Sequence, residues 1–291
     1  MVHLVSRLCA AALACLALTS PSLAQGAVPE HKDRLFAYPQ VIAQSDGGAH
    51  VTYAYDKMRD INGRDEVPER RVRSRYVSLG VRARQQDLVQ GGIRHFATGK
   101  TDGARFIVVY LHGQGGSRKQ GVDDFTFGGN FNRLKNLAVA GGGLYLTPDF
   151  PDFGTGGAKA VSSLLRYYSE KSPKAPILLA CGSMGGALCW QLASDGEVAG
   201  RLGGLILLGS LWSDDFLKSA GFKARVPVMI AHGSRDKVFP VDRQESFFRS
   251  IRAADPSYPL RFARFEGGTH GTPIRMIDWR DTLNWMLATA R

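Results

Sequence analysis

The sequence predicts an α/β protein built on a mostly parallel, doubly wound sheet. Short apolar runs recur from residue 106 onward, and continuous runs of this kind are typical of strands buried on both faces. Segments with apolar residues at helical spacing lie between them, and this alternation indicates right-handed crossovers. The 291 residues, 44% hydrophobic and 22% charged, are ordinary for a globular protein. We therefore expect a single domain over residues 25–291.

The N-terminal residues 1–24 are typical of an export signal. Arg7 supplies a positive charge, Leu8–Leu18 form an apolar core, and Ser22-Leu23-Ala24 is a small-x-small cleavage site. The apolar core is too short to span a bilayer. We expect the signal peptide to be removed and the protein to be periplasmic or secreted; lipid attachment at Cys15 is the alternative.

The net charge of +11 is concentrated in the segment Lys57–Arg84, where basic residues outnumber acidic ones. One interpretation is a weak attraction to an anionic surface such as phospholipid. The other, which the alternation of Arg71, Arg73 and Arg75 favours, is a solvated edge strand whose charges discourage aggregation. The sequence contains no basic surface interleaved with aromatic residues, so we expect no nucleic-acid partner. Oligomeric state does not follow from the sequence.

The N-terminal part of the chain has weaker structural signals than the rest. Residues 25–50 are predicted to be a surface loop. Val51–Tyr55 and Arg71–Val81 are predicted to form an antiparallel pair joined by a turn at Asn62-Gly63, and Ile93–Ala97 is predicted as another strand.

Six apolar runs predict the core strands of the sheet. They are Phe106–Leu111, Gly143–Thr147, Ile177–Ala180, Leu205–Leu208, Val228–Ala231 and Leu260–Phe265, the last of which alternates. Asn130–Ala140 and Ala158–Tyr168 have helical spacing and are predicted as two of the connecting helices.

Polar, glycine-rich loops follow four of these strands. They are His112-Gly113-Gln114-Gly115-Gly116, Cys181-Gly182-Ser183-Met184-Gly185-Gly186, His232-Gly233-Ser234-Arg235-Asp236 and Glu266-Gly267-Gly268-Thr269-His270-Gly271. In doubly wound sheets, functional groups collect at the carboxyl ends of the strands. A serine between small residues at a strand-to-helix turn is how a protein presents a nucleophile. The four loops are therefore expected to form one site.

These loops resemble those of the α/β-hydrolase superfamily, in particular serine esterases and serine aminopeptidases without a large cap. The resemblance covers roughly residues 70–291 and includes the order of the motifs: HG-x-G-G, small-x-Ser-x-Gly, HG-x-x-D and GG-x-H-G. Cys181 stands where the family commonly has glycine, so the serine motif departs from the usual pattern. The fold that the resemblance implies is an α/β-hydrolase domain with an antiparallel N-terminal pair and a minimal lid.

A catalytic role is expected for three side chains and two backbone groups. Ser183 is the expected nucleophile, and His270 is the expected base because a serine hydroxyl is a poor nucleophile without one. Asp236 is expected to orient the His270 ring. The backbone N–H groups of Met184 and, as the resemblance implies, Gln114 are expected to form the oxyanion hole.

Other residues compete for these roles. Asp242 is the nearest alternative to Asp236 as the acid. His112 and His232 each precede a glycine at a strand end, and they are expected to shape their loops through ring hydrogen bonds rather than to act as the base.

The short interval Leu211–Val226 leaves no room for a helical cap, so the pocket is expected to be open. Its predicted border residues are Leu211, Trp212, Phe216, Phe125 and Phe127, although the aromatic residues among them suit a core position equally well. An open pocket favours short or soluble acyl esters, or the exposed end of a polymer.

No cofactor or metal is expected. The glycines at 154 and 156 fit neither dinucleotide-binding nor phosphate-loop spacing, and no His, Cys or carboxylate cluster has metal-ligand spacing. Cys181 and Cys189 are expected to be two small buried residues rather than a disulfide, since one ends a strand and the other lies inside the next helix.

The sequence thus predicts an exported serine hydrolase that cleaves carboxylic esters through an acyl-enzyme. An amidase, a peptidase or a phospholipase would use the same three side chains. A non-catalytic binding protein on the same fold is the alternative from another class.

Overall fold

The computed structural model describes residues 28–56 and 74–290. The predicted signal peptide and the predicted Asn62-Gly63 turn lie outside these ranges. The described strands are β1 Val41–Ser45, β2 His50–Tyr53, β3 Gln85–Gln90, β4 Ile93–Gly99, β5 Ile107–Leu111, β6 Leu144–Pro148, β7 Ile177–Gly182, β8 Leu202–Leu208, β9 Val228–Gly233 and β10 Leu260–Phe265.

These ten strands form one sheet in the order β1-β2-β10-β9-β8-β7-β5-β6-β4-β3. The seven strands from β2 to β6 in this order are parallel. Antiparallel pairs stand at both ends, where β1 pairs with β2 and where β4 pairs with β6 and β3. The chain adds β6 on one side of β5 and β7 on the other, so β5 marks the switch point where doubly wound sheets bind ligands.

Helices cover both faces of the sheet. The described helices are α1 Asp33–Phe36, α2 Arg118–Val122, α3 Asn130–Ala140, α4 Thr155–Lys171, α5 Gly185–Ser194, α6 Gly196–Ala199, α7 Ala220–Lys223, α8 Val241–Ala254, α9 Thr272–Met276 and α10 Trp279–Thr289. None of the helices in the described ranges is long and apolar enough to cross a membrane.

Strand β5 shows why the core runs are apolar throughout. Ile107, Val109 and Leu111 belong to one buried cluster, together with residues of α4, α5 and α8. Val108 and Tyr110 belong to a second cluster, with residues of α3 and α10. Because successive side chains point to opposite faces, a strand covered by helices on both sides needs apolar residues at every position. The predicted mostly parallel α/β sheet is confirmed.

The N-terminal strands differ from the sequence-based prediction. The predicted loop over residues 25–50 contains α1 and β1, and β1 rather than Arg71–Val81 is the antiparallel partner of β2. Within Arg71–Val81, the described part forms 3₁₀ turns at Ser74–Tyr76 and from Leu79. The ammonium group of Lys32 donates hydrogen bonds to the carbonyl oxygens of Arg75 and Val77, so these two acceptors are not used in a strand ladder.

Arg71–Val81 was predicted as an edge strand, but the strand observed at that end of the sheet is β3, Gln85–Gln90. Strand β3 lies at the sheet edge and pairs with β4 alone, so it buries little side-chain surface. Its sequence QQDLVQ carries few apolar residues for that reason, and the apolar pattern did not predict it.

A buried ion pair ties α3 to the loop before it. The Lys135 ammonium lies 2.7 Å from the Asp124 carboxylate, and the two side chains are 0% and 4% exposed. Arg82 and Asn132 also donate to this carboxylate, each over 2.6 Å. Burial by itself raises the pKa of Asp124, but these donors outweigh burial and hold the pKa below its ordinary value.

Removing one partner of this pair is expected to destabilise the fold. Asp124→Asn leaves the Lys135 charge buried without a counter-ion, so the free energy of unfolding should fall by about 3 kcal/mol. Urea unfolding at pH 7 measures this loss. Lys135→Met is the control: it removes the buried cation and leaves Asp124 paired with Arg82, so its loss should be smaller. The double variant should regain part of the stability; a double variant less stable than Asp124→Asn would contradict this account.

Candidate active site

The backbone turns sharply at Ser183, between the end of β7 and the start of α5. Ser183 has φ 51°, in the left-handed region that side chains other than glycine rarely adopt. Such a conformation costs on the order of 1–3 kcal/mol and persists only where neighbouring contacts hold it. The turn lifts the serine hydroxyl out of the sheet at the carboxyl end of β7.

Small residues let other segments approach this turn closely. A Cβ on Gly113 would lie 2.8 Å from Cβ of Ser183 and 3.4 Å from its hydroxyl oxygen. A Cβ on Gly185 would collide with the carbonyl oxygen of Leu111, and one on Gly186 would collide with the Ser210 hydroxyl. These glycines are therefore required by close packing around the serine.

The structure corrects the expectation for the two cysteines. Cys181 and Cys189 form a disulfide, with their Cα atoms 6.5 Å apart. The sharp turn folds α5 back against the end of β7, which brings the buried helix residue Cys189 close to Cys181, the second-to-last residue of the strand. The Cα–Cα distance lies within the usual range for disulfides. The spacing of the two cysteines along the chain gave no indication that they would meet.

Ser183, His270 and Asp236 lie in one hydrogen-bonded line. The Ser183 hydroxyl lies 2.9 Å from Nε2 of His270, and Nδ1 of His270 lies 2.7 Å from Oδ2 of Asp236. For the hydroxyl to donate to Nε2, the ring hydrogen must be on Nδ1, where the carboxylate accepts it. The three side chains lie on the loops that follow β7, β9 and β10.

The Asp236 carboxylate is fully enclosed and fully hydrogen-bonded. Its second oxygen accepts the backbone N–H groups of Val238 and Phe239 over 2.8 and 3.0 Å. Burial raises the pKa of Asp236, but the hydrogen bonds from His232, His270 and these two amides outweigh burial and hold the pKa far below its ordinary value. The carboxylate is therefore ionised over the whole physiological pH range.

Asp242, the alternative candidate for the acid, lies away from the His270 ring. Asp242 lies exposed in the first turn of α8, where its backbone carbonyl accepts the Ser246 hydroxyl. In the described ranges, the hydrogen bonds of the His270 ring go to Ser183 and Asp236.

His232 contacts the acid, a role that its sequence position did not predict. Its Nε2 lies 2.8 Å from the carbonyl oxygen of Phe239 and 3.2 Å from Oδ2 of Asp236. An atom between two acceptors must carry the hydrogen, so Nε2–H donates to both. His232 thus shapes its loop, as expected, and also supports the carboxylate that orients His270.

His112 shapes the loop after β5. Its Nδ1 hydrogen-bonds the carbonyl oxygen of Gly113 over 2.9 Å, and its ring stacks on Phe150 with centroids 4.2 Å apart. Burial lowers the pKa of His112, which favours the neutral ring. The carbonyl that it holds belongs to the residue packed against Ser183.

The two backbone N–H groups expected to form the oxyanion hole are those of Gln114 and Met184. Gln114 directly follows Gly113, and Met184 directly follows Ser183. Among the hydrogen bonds of residues 28–56 and 74–290, none uses either amide as a donor. Two unpaired amides beside a serine hydroxyl are what an oxyanion hole requires.

The predicted border of the pocket is partly wrong. Phe216 is 2% exposed and packs against Trp190, Phe247 and Tyr258, so it belongs to the core. The sequence could not separate the two roles because both favour an aromatic residue.

The other predicted border residues have mixed positions. Phe125 packs with the small cluster formed by Phe36, Tyr76 and Val77. Phe127 packs against Phe131, with the Arg275 guanidinium over its ring.

Leu211 and Trp212 follow β8 and are half-buried. Phe239, which the sequence did not single out, lies 5.6 Å from the His270 ring. Two clefts of about 500 and 750 Å³ lie elsewhere on the described surface, and their linings include neither Ser183 nor His270.

Two further residues near the serine had no motif to indicate them. Ser210 donates its hydroxyl to the Ser183 carbonyl oxygen over 2.7 Å. A Cβ on the preceding Gly209 would lie 2.6 Å from the His270 carbonyl oxygen. Their position after β8, next to β7 in the sheet, was the available signal.

In the described part of the chain, no group of three or more His, Cys, Asp or Glu side chains is arranged to hold a metal ion.

Comparison with known proteins identifies the fold. No protein-family model and no curated protein sequence matches the chain. Among solved structures, a protein of unknown function from Agrobacterium tumefaciens, proposed to be an α/β hydrolase, is 17% identical with a TM-score of 0.55, over 70% of this chain and 97% of its own. A Thermus thermophilus protein is 21% identical with a TM-score of 0.50, over 70% and 97% of the two chains.

An esterase from Pyrococcus furiosus is similar at 13% identity, with a TM-score of 0.50 over 71% of this chain and 91% of its own. At these identities the likeness shows the fold. The protein has the α/β-hydrolase fold, as its motifs predicted.

Substitution of His232 tests its support of Asp236. His232→Asn removes the Nε2–H donor, which should lower the free energy of unfolding at pH 7 by about 1–3 kcal/mol. The folded pKa of Asp236 lies below the unfolded value, so the ionised carboxylate stabilises the fold above about pH 4, and this contribution is lost as the pH falls. In urea unfolding, the deficit of the variant should therefore shrink only once the pH falls below about 4, where the folded carboxylate begins to take up protons.

His232→Gln is the matched variant because its amide nitrogen reaches the position of Nε2. It should retain more stability at pH 7 than His232→Asn. Equal losses in the two variants would show that this hydrogen bond is not the cause.

Proposed function

We propose that the protein is an exported serine hydrolase that cleaves carboxylic esters through an acyl-enzyme. The observation that carries the proposal is the line of contacts from the Ser183 hydroxyl through His270 to Asp236, at 2.9 and 2.7 Å. A buried, ionised carboxylate, an imidazole and a serine in this order form the constellation that activates a serine for acyl transfer.

In the first half-reaction, His270 Nε2 takes the hydroxyl proton as Ser183 Oγ attacks the ester carbonyl carbon. The negative charge that develops on the carbonyl oxygen is stabilised by the N–H groups of Gln114 and Met184. Asp236 holds the ring in place and stabilises its cationic form. When the tetrahedral intermediate collapses, His270 returns the proton to the leaving alkoxide and the alcohol departs.

In the second half-reaction, water replaces the alcohol. His270 removes a proton from the water as its oxygen attacks the acyl carbon, and the same amides stabilise the second oxyanion. Collapse of this intermediate returns the proton from His270 to Ser183 Oγ and releases the carboxylic acid. The enzyme is restored with no cofactor consumed.

The short interval after β8 favours an open site, and an open site suits esters with short acyl groups or the exposed ends of polymers. The interval after β8 holds a 3₁₀ turn at Asp214–Lys218 and the four-residue helix α7. Neither is large enough to form an enclosing cap.

Ser183 should account for all of the activity. We expect p-nitrophenyl acetate and butyrate to be hydrolysed faster than long-chain esters, and Ser183→Ala to abolish turnover. A fluorophosphonate reagent should label the native protein and fail to label Ser183→Ala. Activity that survives in Ser183→Ala would exclude Ser183 as the nucleophile. A native protein that neither hydrolyses these esters nor takes the label would favour a binding protein on the same fold.

Substrate class is decided by the same panel extended to amides, aminoacyl substrates and phospholipid vesicles. Faster turnover of amides than of esters would favour an amidase or peptidase. Rates that rise steadily with acyl length and jump at an interface would favour a lipase or phospholipase.

Export is supported by the signal-like N-terminal sequence and by the disulfide between Cys181 and Cys189, because disulfides persist in oxidising compartments. We expect the periplasmic or secreted form to begin at Gln25, which N-terminal sequencing checks. A cytoplasmic protein that retains residues 1–24 would contradict export.

A further inference from the structure

The carbonyl oxygen of Ser183 accepts three hydrogen bonds. The Ser210 hydroxyl donates over 2.7 Å, the Gly186 amide over 3.1 Å and the Leu211 amide over 3.4 Å. The Gly186 contact belongs to the start of α5. The other two come from the segment after β8, so the neighbouring strand holds this peptide from outside the helix.

This carbonyl and the Met184 N–H belong to the same peptide group. A trans peptide is planar, so its C=O and N–H point in opposite directions. Fixing the direction of the Ser183 carbonyl therefore fixes the direction of the Met184 N–H. Because Ser183 has a left-handed φ of 51°, the peptide would tend to rotate toward a relaxed conformation without such contacts.

Ser210 is buried and closely packed by its neighbours. Its side chain is 1% exposed, and Gly186 leaves the space that the hydroxyl fills. The side-chain amide of Gln244, on α8, donates to the Ser210 carbonyl oxygen. Gly209, at φ 53°, packs against the His270 backbone and prevents the segment from shifting toward the base.

We infer that Ser210 is a positioning residue for the oxyanion hole: its hydroxyl holds the Ser183 carbonyl and thereby aims the Met184 N–H at the developing oxyanion. This inference rests on the proposed function, since it assigns to Ser210 a part in acyl transfer. Ser210 does not touch the substrate in this role. Its effect passes through the peptide between Ser183 and Met184.

Loss of this contact should act on the transition state. The oxyanion forms only after Ser183 attacks, so a misdirected N–H should lower kcat and leave KM nearly unchanged. Removal of a whole oxyanion donor typically costs about 10²–10³ in rate. Since the Gly186 and Leu211 contacts remain, we expect Ser210→Ala to lower kcat by roughly 10-fold to 100-fold.

The experiment compares Ser210→Ala with Ser210→Thr and with Ser169→Ala, using p-nitrophenyl acetate. Ser210→Thr keeps the hydroxyl and should recover most of kcat. Ser169 is a matched control because it is also buried, its hydroxyl has no hydrogen-bond partner within the described ranges, and it lies on α4 away from the serine. Ser169→Ala should keep kcat within twofold of the native protein.

A second measurement uses phenylboronic acid, which forms a tetrahedral adduct on an active serine. Ser210→Ala should weaken its inhibition by about the same factor as it lowers kcat/KM. Thermal unfolding of each variant separates this effect from a loss of folded protein.

The inference is overturned if Ser210→Ala keeps kcat within twofold of Ser169→Ala, if its loss appears in KM, or if a Ser210→Thr variant as heat-stable as the native protein fails to recover kcat. A native protein that neither hydrolyses the ester nor takes the fluorophosphonate label overturns the proposed function and this inference with it. An active native protein with an unaffected Ser210→Ala variant overturns the inference alone.

Discussion

The left-handed backbone at Ser183 is the constraint on which the rest of the site depends. A residue with a side chain adopts φ 51° only when its surroundings hold it there. Here the surroundings are the glycines that let neighbouring segments approach and the donors that hold the Ser183 carbonyl. The same turn lifts the hydroxyl toward His270, exposes the Met184 amide and folds α5 back onto β7. One local conformation thus explains the packing, the disulfide and the unpaired amide.

The acid depends on a different kind of support. Asp236 is buried, which by itself would favour the protonated form, and its charge is kept by the donors around it. His232 and the amides of Val238 and Phe239 supply these donors from the acid's own strand and the loop that follows it, and His270 supplies another from the loop after β10. The loop after β9 therefore places the carboxylate and stabilises its charge at once, which leaves the imidazole in a single tautomer facing the serine.

The core strands could be predicted because both faces of the sheet are covered. Burial on both sides demands an unbroken apolar run, as in β5 and β7, and such runs are visible in a single sequence. The strands at the sheet edges are not buried on both faces, so they do not require an unbroken apolar run. β1 is exposed along its whole length, and β3 is exposed at half of its positions and half-buried at the others, so their sequences carry little pattern. The segment from Ser74 forms 3₁₀ turns, and two of its carbonyl oxygens accept hydrogen bonds from Lys32, which lies far away in the chain.

The sequence by itself determined which residue types stand at the ends of the strands. From these it placed Ser183, Asp236 and His270 at one edge of the sheet, and their glycine-rich surroundings made them recognisable. Only the tertiary structure decided that Ser210 donates to the Ser183 carbonyl oxygen and that His232 contacts Asp236. The tertiary structure also decided that Cys181 pairs with Cys189 and that Phe216 packs in the hydrophobic core. The physical reason is that these contacts join segments through hydrogen bonds and packing that ordinary residues make throughout a protein. Their significance comes from position in space, which spacing along the chain does not encode.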